Sequence, residues 1–135
     1  MTFRMILIDP EKQTITEHQV SPAIKDMGAM IGTMDVDTVR IAMHKGSFDY
    51  LLVDDTGLKR GEPIHAFQLL GRPDPLAGKA LIYGCERYTG ETCDAKLPLS
   101  TLEGLVHWLG LIVPKVEWTK KGHVDTAYVT WSKVQ

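Results

Sequence analysis

The chain has 135 residues, 44% hydrophobic and 24% charged, with a formal net charge of -2 at pH 7. That length and composition fit one globular domain, since two would each hold too little core. The charge balance and a sequence pI near 6.2 disfavour a surface dedicated to non-specific phosphate binding.

From the N-terminus, Arg4 to Asp9 and Gln13 to Val20 read as two extended runs around Asp9-Pro10-Glu11-Lys12. Asp before Pro initiates a turn, so a β-hairpin is predicted. The first apolar run is short, interrupted by Arg4, and has no small-residue cleavage site after it, so it reads as a first strand. No run approaches the roughly 18 apolar residues of a bilayer span. A cytoplasmic protein of the bacterial or host-cell cytosol, without membrane contact, is expected.

Ser21-Pro22 supplies an N-cap and a first-turn proline, Ile24, Met27 and Ile31 share a face, and Gly32 supplies a C-cap. The spacing predicts a helix of about three turns. Asp37 to Met43 and Phe48 to Asp54 then make a second hairpin around His44-Lys45-Gly46-Ser47. The connection from Asp54 to Pro75 is rich in turn residues. Within it, Ala66, Phe67, Leu69 and Leu70 suit a short helix or an irregular piece covering the core.

Ala80 to Tyr83 reads as a buried strand, and Gly84 to Pro98 as a long polar loop. Ser100-Thr101-Leu102-Glu103 has the form of a capping box, followed by a stripe of Leu102, Leu105, Val106 and Leu109 that ends at Gly110, which predicts the second helix. Ile112 to Thr119 and Val124 to Trp131 form a third hairpin around Lys120-Lys121-Gly122-His123. Pro114 is expected where no ladder donor is needed. The predicted architecture is an α+β domain, a mainly antiparallel sheet built from hairpins with two helices packed on it.

Arg4-Met5-Ile6-Leu7-Ile8-Asp9-Pro10-Glu11-Lys12-Gln13-Thr14-Ile15, Val53-Asp54-Asp55-Thr56-Gly57-Leu58 and Gly78-Lys79-Ala80-Leu81-Ile82-Tyr83-Gly84 resemble a family of small proteins of unknown function carried by phages, plasmids and other mobile elements. The resemblance covers residues 1–110, the core, with 111–135 as a C-terminal hairpin extension of the same domain. It implies a mobile-element setting and an accessory role. It supplies no catalytic residues and no cofactor.

The candidate chemistries are few. Gly71 and Gly78-Lys79 mimic a phosphate loop, but the spacing is too long and Ala80 stands where a Ser or Thr is required. Cys85 and Cys93 lack the partners of a zinc site and read as free thiols. Asp54 and Asp55 at a strand end, with His65 downstream, are the residues of an alternative metal-assisted hydrolase. Turn initiation by Asp54-Asp55-Thr56-Gly57 competes with that role. A serine nucleophile is disfavoured, because Ser21 and Ser100 read as helix caps.

The loop from Cys85 to Cys93 carries Arg87 and Tyr88, which with Arg72 suit clamping a phosphate and stacking on a base. Trp118, Lys120, Lys121 and Trp131 form a second alternative, a single-stranded nucleic-acid surface. The leading expectation is a non-enzymatic accessory protein that binds a host macromolecule or a small nucleotide through Arg72, Arg87 and Tyr88. Oligomeric state is left open.

Overall fold

A computed structural model describes residues 1–134, except for the side chains of Lys121 and Val124. β1 (Phe3–Asp9) and β2 (Thr14–Val20) form the first hairpin, in register from Phe3 opposite Val20 to Asp9 opposite Thr14. The Asp9 carboxylate closes the turn by accepting the N–H of Glu11 at 3.1 Å and of Lys12 at 3.2 Å. The Asp-Pro pair therefore does what its backbone chemistry favours.

The first helix, α1 (Ile24–Ile31), ends at Gly32, whose φ of 84° is a conformation glycine adopts without steric cost. Its start differs from the expectation. Ala23 occupies the cap position, while Ser21 Oγ accepts the Ala23 N–H at 3.3 Å and shapes the turn ahead of the helix. Met27 and Ile31 are buried against Met5, Val20, Leu52 and Leu81.

β3 (Val36–His44) and β4 (Ser47–Asp54) form the second hairpin through Lys45-Gly46, with a bulge between Arg40 and Ala42. The segment expected to be helical or irregular is a strand, β5 (Ile64–Leu69), paired with the short β6 (Leu76–Ala77). Ala66 and Phe67 are adjacent and both fully buried because they belong to different hydrophobic clusters. A strand covered on both faces loses the alternation by which strands are recognised.

The expected loop after Tyr83 is partly strand as well. β7 (Ala80–Glu86) runs on to Glu86, and β8 (Thr92–Cys93) pairs back with Gly84 and Cys85. Gly84 is there for space: a Cβ on it would collide with the Asp94 carbonyl oxygen and come within 2.7 Å of that of Cys93.

α2 (Leu99–Leu105) is shorter than its apolar stripe suggested, and the capping box does not form, since Pro98 holds the cap position without a side-chain bond. At Val106 the chain passes directly into β9 (Val106–Lys121), so Val106, Leu109 and Gly110 lie in a strand. Pairing with β5, from Leu69 opposite Val106 to Ile64 opposite Ile112, supplies tertiary hydrogen bonds that outweigh the local helical pattern. The division expected at residue 110 falls inside this strand.

β9 continues into a hairpin with β10 (Val124–Lys133), turning at Gly122-His123. Pro114 lies beyond the last β5 pair and opposite Trp131. No ladder bond is lost there, as expected of a proline in a strand.

The strands make two antiparallel sheets, where one was expected. The larger has the order β2-β1-β7-β4-β3, with β8 also on β7, and the smaller β10-β9-β5-β6. One face of the larger sheet, through Met5, Leu52 and Leu81, packs on α1. The other, through Ile6, Ile8, Leu51, Val53, Ala80 and Ile82, packs on Phe67 and Leu69 of the smaller sheet and on Leu102 of α2. A single sheet would leave one of these apolar faces in water.

Asp49 in β4 is 0% exposed. Its carboxylate accepts the Lys96 N–H at 3.0 and 3.1 Å and the Leu97 N–H at 2.8 Å, while Lys96 Nζ donates to the buried Ser47 Oγ at 2.7 Å. His44 Nε2 lies 3.1 Å from Asp49 Oδ2 without the alignment of a hydrogen bond. Asp49→Asn turns an acceptor into a donor facing donors and is expected to cost about 3 kcal/mol. The check is the urea midpoint at unchanged slope, and a loss below about 1 kcal/mol would show that these bonds do not hold the segment.

Candidate functional site

The hairpin of β9 and β10 has two unlike faces. Pro114, Val116, Trp118 and Lys120 alternate onto one face and are joined there by Trp131, Val129, Ala127 and Asp125 of the partner strand. The opposite face carries Lys115, Glu117, Thr119, Tyr128 and Thr130. There the Tyr128 hydroxyl donates to Glu117 Oε2 at 2.6 Å, which lowers the carboxyl pKa and raises that of the phenol.

The apolar face borders an open cleft of about 530 Å³, whose hairpin wall is Val116, Trp118, Ala127, Tyr128 and Val129. Asp54, Asp55, Leu58 and Lys59 form the opposite wall, and Asp74 completes it. Trp118 is 71% exposed, an unusual position for so large an apolar ring. Trp131 differs, because it packs against the cluster of Ala66, Leu109 and Ile112.

The second wall is held by Asp54. Its Oδ1 accepts the Thr56 N–H at 2.9 Å and the Thr56 hydroxyl at 3.0 Å, and Oδ2 pairs with Arg60 Nη2 at 3.0 Å. Burial works to raise the Asp54 pKa, but the bonds from Thr56 and Arg60 outweigh it and hold the carboxyl below its ordinary value of 3.8. Asp54 is therefore a turn-forming anion with its charge already matched. Asp55 and Asp74 are exposed and stand in no ion pair among the described residues.

The expected site residues are dispersed. Arg72 donates from Nη2 to the Arg40 carbonyl at 2.9 Å and borders an open depression with Leu70 and His107 beside the end of α2. Arg87 and Tyr88 occupy the tip between β7 and β8, where the Arg87 guanidinium lies 5.7 Å from the Tyr88 ring centroid and Tyr88 is 88% exposed. Three depressions that Arg72 borders have neither Arg87 nor Tyr88 among the described residues of their lining. Arg72 therefore lies by the end of α2 and Arg87 and Tyr88 at the tip between β7 and β8.

His65 belongs to β5 and faces a small depression with Asp9, Glu11 and Lys79, whereas Asp54 and Asp55 border the hairpin cleft. No group of three His, Cys, Asp or Glu side chains among the described residues is arranged to hold a metal ion. Cys85 and Cys93 are free, and burial pushes the Cys93 thiol pKa up, away from nucleophilic reactivity. Lys120 is exposed at the hairpin end, and the side chain of Lys121 lies outside the described residues.

Sequence reasoning missed the cleft because its walls lie far apart in the chain. Val116 and Trp118 at alternate positions, facing Ala127 and Val129, were its one local signal. Comparisons with protein-family models, curated proteins and solved structures yield no match for this chain.

The Asp54 pairing has a pH signature. Its folded-state pKa lies below the unfolded value, so the carboxylate adds stability above about pH 4, lost as pH falls through the depressed folded-state pKa. In urea melts at several pH values, the stability gap between wild type and Asp54→Asn is expected to be full near pH 7 and to close on acidification. A gap of constant size from neutral to acid pH would contradict this assignment.

Proposed function

We propose that the chain is a non-enzymatic binding protein that captures a basic side chain of a partner protein in the Trp118 cleft. The observation that carries this reading is an exposed tryptophan set across one concave surface from Asp55 and Asp74, which stand in no ion pair among the described residues. A lysine or arginine seated there meets the negative face of the indole and the field of Asp55 and Asp74 together, and such contacts are worth about 0.5–2 kcal/mol for the ring alone.

The same charges argue against the nucleotide and single-stranded nucleic-acid readings at this cleft. A base stacked on Trp118 would bring its phosphate toward Asp55 and Asp74, with Lys59 as the one cation among the described residues of the lining. Capture of a basic segment fits the expected accessory role, in which the bound macromolecule is a host protein. At the Arg87–Tyr88 tip the Tyr88 ring is largely open to water, whereas small-ligand sites bury most of what they hold.

The test is calorimetric titration with short capped peptides containing lysine, arginine, alanine or glutamate at one position. Lysine and arginine peptides are expected to bind and the others not. Trp118→Ala should weaken binding about tenfold, and Asp55→Asn with Asp74→Asn should reduce both affinity and its salt dependence. Equal binding of the alanine peptide, or binding indifferent to Trp118→Ala, would refute the reading. A nucleotide that binds wild type but not Arg87→Ala would return the site to the tip between β7 and β8.

A further inference from the structure

We infer that the free edge of β10 pairs with β10 of a second copy of this chain, forming a symmetric dimer whose smaller sheets become continuous. β10 is an outer strand of that sheet and is ten residues long. From Thr126 to Ser132 it has no charged residue and no proline, and its ladder with β9 has no bulge. Long, uninterrupted edges of this kind are templates for another strand, and proteins that stay monomeric usually interrupt them.

The other edges carry such interruptions. β3 has a bulge between Arg40 and Ala42, and the Arg72 guanidinium covers the Arg40 carbonyl. β2 carries Glu17 and His18 in mid-strand, and β6 has two residues. β9 beyond Ile112 is also open on its β5 side, but that stretch carries Pro114, Lys115, Glu117 and Lys120, which leaves β10 as the long edge without such interruption among the described residues.

The backbone direction of β10 follows from its ladder. The Val134 N–H bonds to Leu111 O, so even-numbered residues of β10 face β9. The alternation of an antiparallel pair then turns the N–H and C=O of Asp125, Ala127, Val129, Trp131 and Lys133 outward. Pro114, opposite Trp131, agrees with this phase, because a residue without an N–H fits a pair that exchanges no bonds.

A two-fold axis perpendicular to the sheet keeps each residue on its own face and, wherever along β10 it falls, sets outward residues against outward residues. Centred on Ala127 it sets Asp125 against Val129, and centred on Trp131 it sets Val129 against Lys133. Centred on Val129 it sets Asp125 against Lys133 of the other copy at both ends, with Ala127 against Trp131 between them. Asp125 faces Lys120 in its own chain and forms no ion pair among the described residues. Only that register matches opposite charges and places a small residue beside each large ring.

The experiment is sedimentation equilibrium of the full chain over a wide concentration range. The wild type should shift from 15.1 kDa toward twice that mass, with dissociation on the order of micromolar for an interface carried mainly by strand pairing. Val129→Pro removes an outward N–H that the ladder with β9 does not use. It should leave a folded chain, by circular dichroism, that remains monomeric at every concentration. Should that variant fail to fold, the charges decide: Asp125→Lys should weaken the dimer about tenfold, and adding Lys133→Asp should restore it. A wild type that stays monomeric, a folded Val129→Pro that still dimerises, or a double exchange that fails to recover would each overturn the inference.

Discussion

A carboxylate sealed inside the protein governs how the second half of the chain is laid down. Asp49 belongs to β4, a strand near the middle of the larger sheet, and burying its charge is tolerable only because donors reach it from elsewhere. Those donors are the backbone N–H groups of Lys96 and Leu97, and Lys96 also spans to Ser47. The segment is held from the other side by Arg4, whose N–H bonds to Asp94 Oδ1 at 2.8 Å and whose guanidinium reaches the Ala95 carbonyl at 2.6 Å. With residues 94–97 fixed across β1 and β4, α2 must start immediately beyond, and its Leu102 is delivered into the core.

From that point the course of β9 follows. α2 is seven residues long and passes without a loop into a strand that pairs first with β5 and then, from Ile112 onward, with β10. The hairpin therefore begins as part of a packed sheet and ends away from it, so Trp131 near its base is half-buried while Trp118 farther out is exposed. The cleft exists because this outer part stands across from the turn held by Asp54 and Arg60. Gly57 makes that turn tight: a Cβ on it would meet the Ala77 side chain at 3.0 Å.

The elements legible in the sequence were those whose signals are local. Asp9-Pro10, Lys45-Gly46 and Gly32 each act on their own neighbours' backbone, and the hairpins of β1 with β2 and β3 with β4, and the end of α1, followed from them. The misreadings share a cause. β5 is buried on two sides, and Val106 to Gly110 keeps helical spacing while being claimed by a partner strand more than thirty residues earlier. Asp49 shows the same limit, since one acid between Phe48 and Tyr50 looks like an ordinary outward residue until the segment that covers it is placed. For the site, Trp118 was visible as an aromatic on a strand, but the lysines around it suggested phosphate. The carboxylates across the cleft come from residues 54–74, which no local pattern connects to the hairpin.

The cleft and the free edge of β10 share one structural element, which couples the two readings without making either depend on the other. Val129 contributes its side chain to the cleft and its outward N–H and C=O to the edge. A two-fold axis perpendicular to the sheet leaves both Trp118 rings on the same face of the joined sheet, so a dimer would present two like clefts to one side. A partner carrying two basic segments could then engage both, and the second contact would form at a high effective concentration set by the partner's spacing. Weak capture of single side chains, each worth little on its own, would in that arrangement become selective for the spacing of positive charges along a partner.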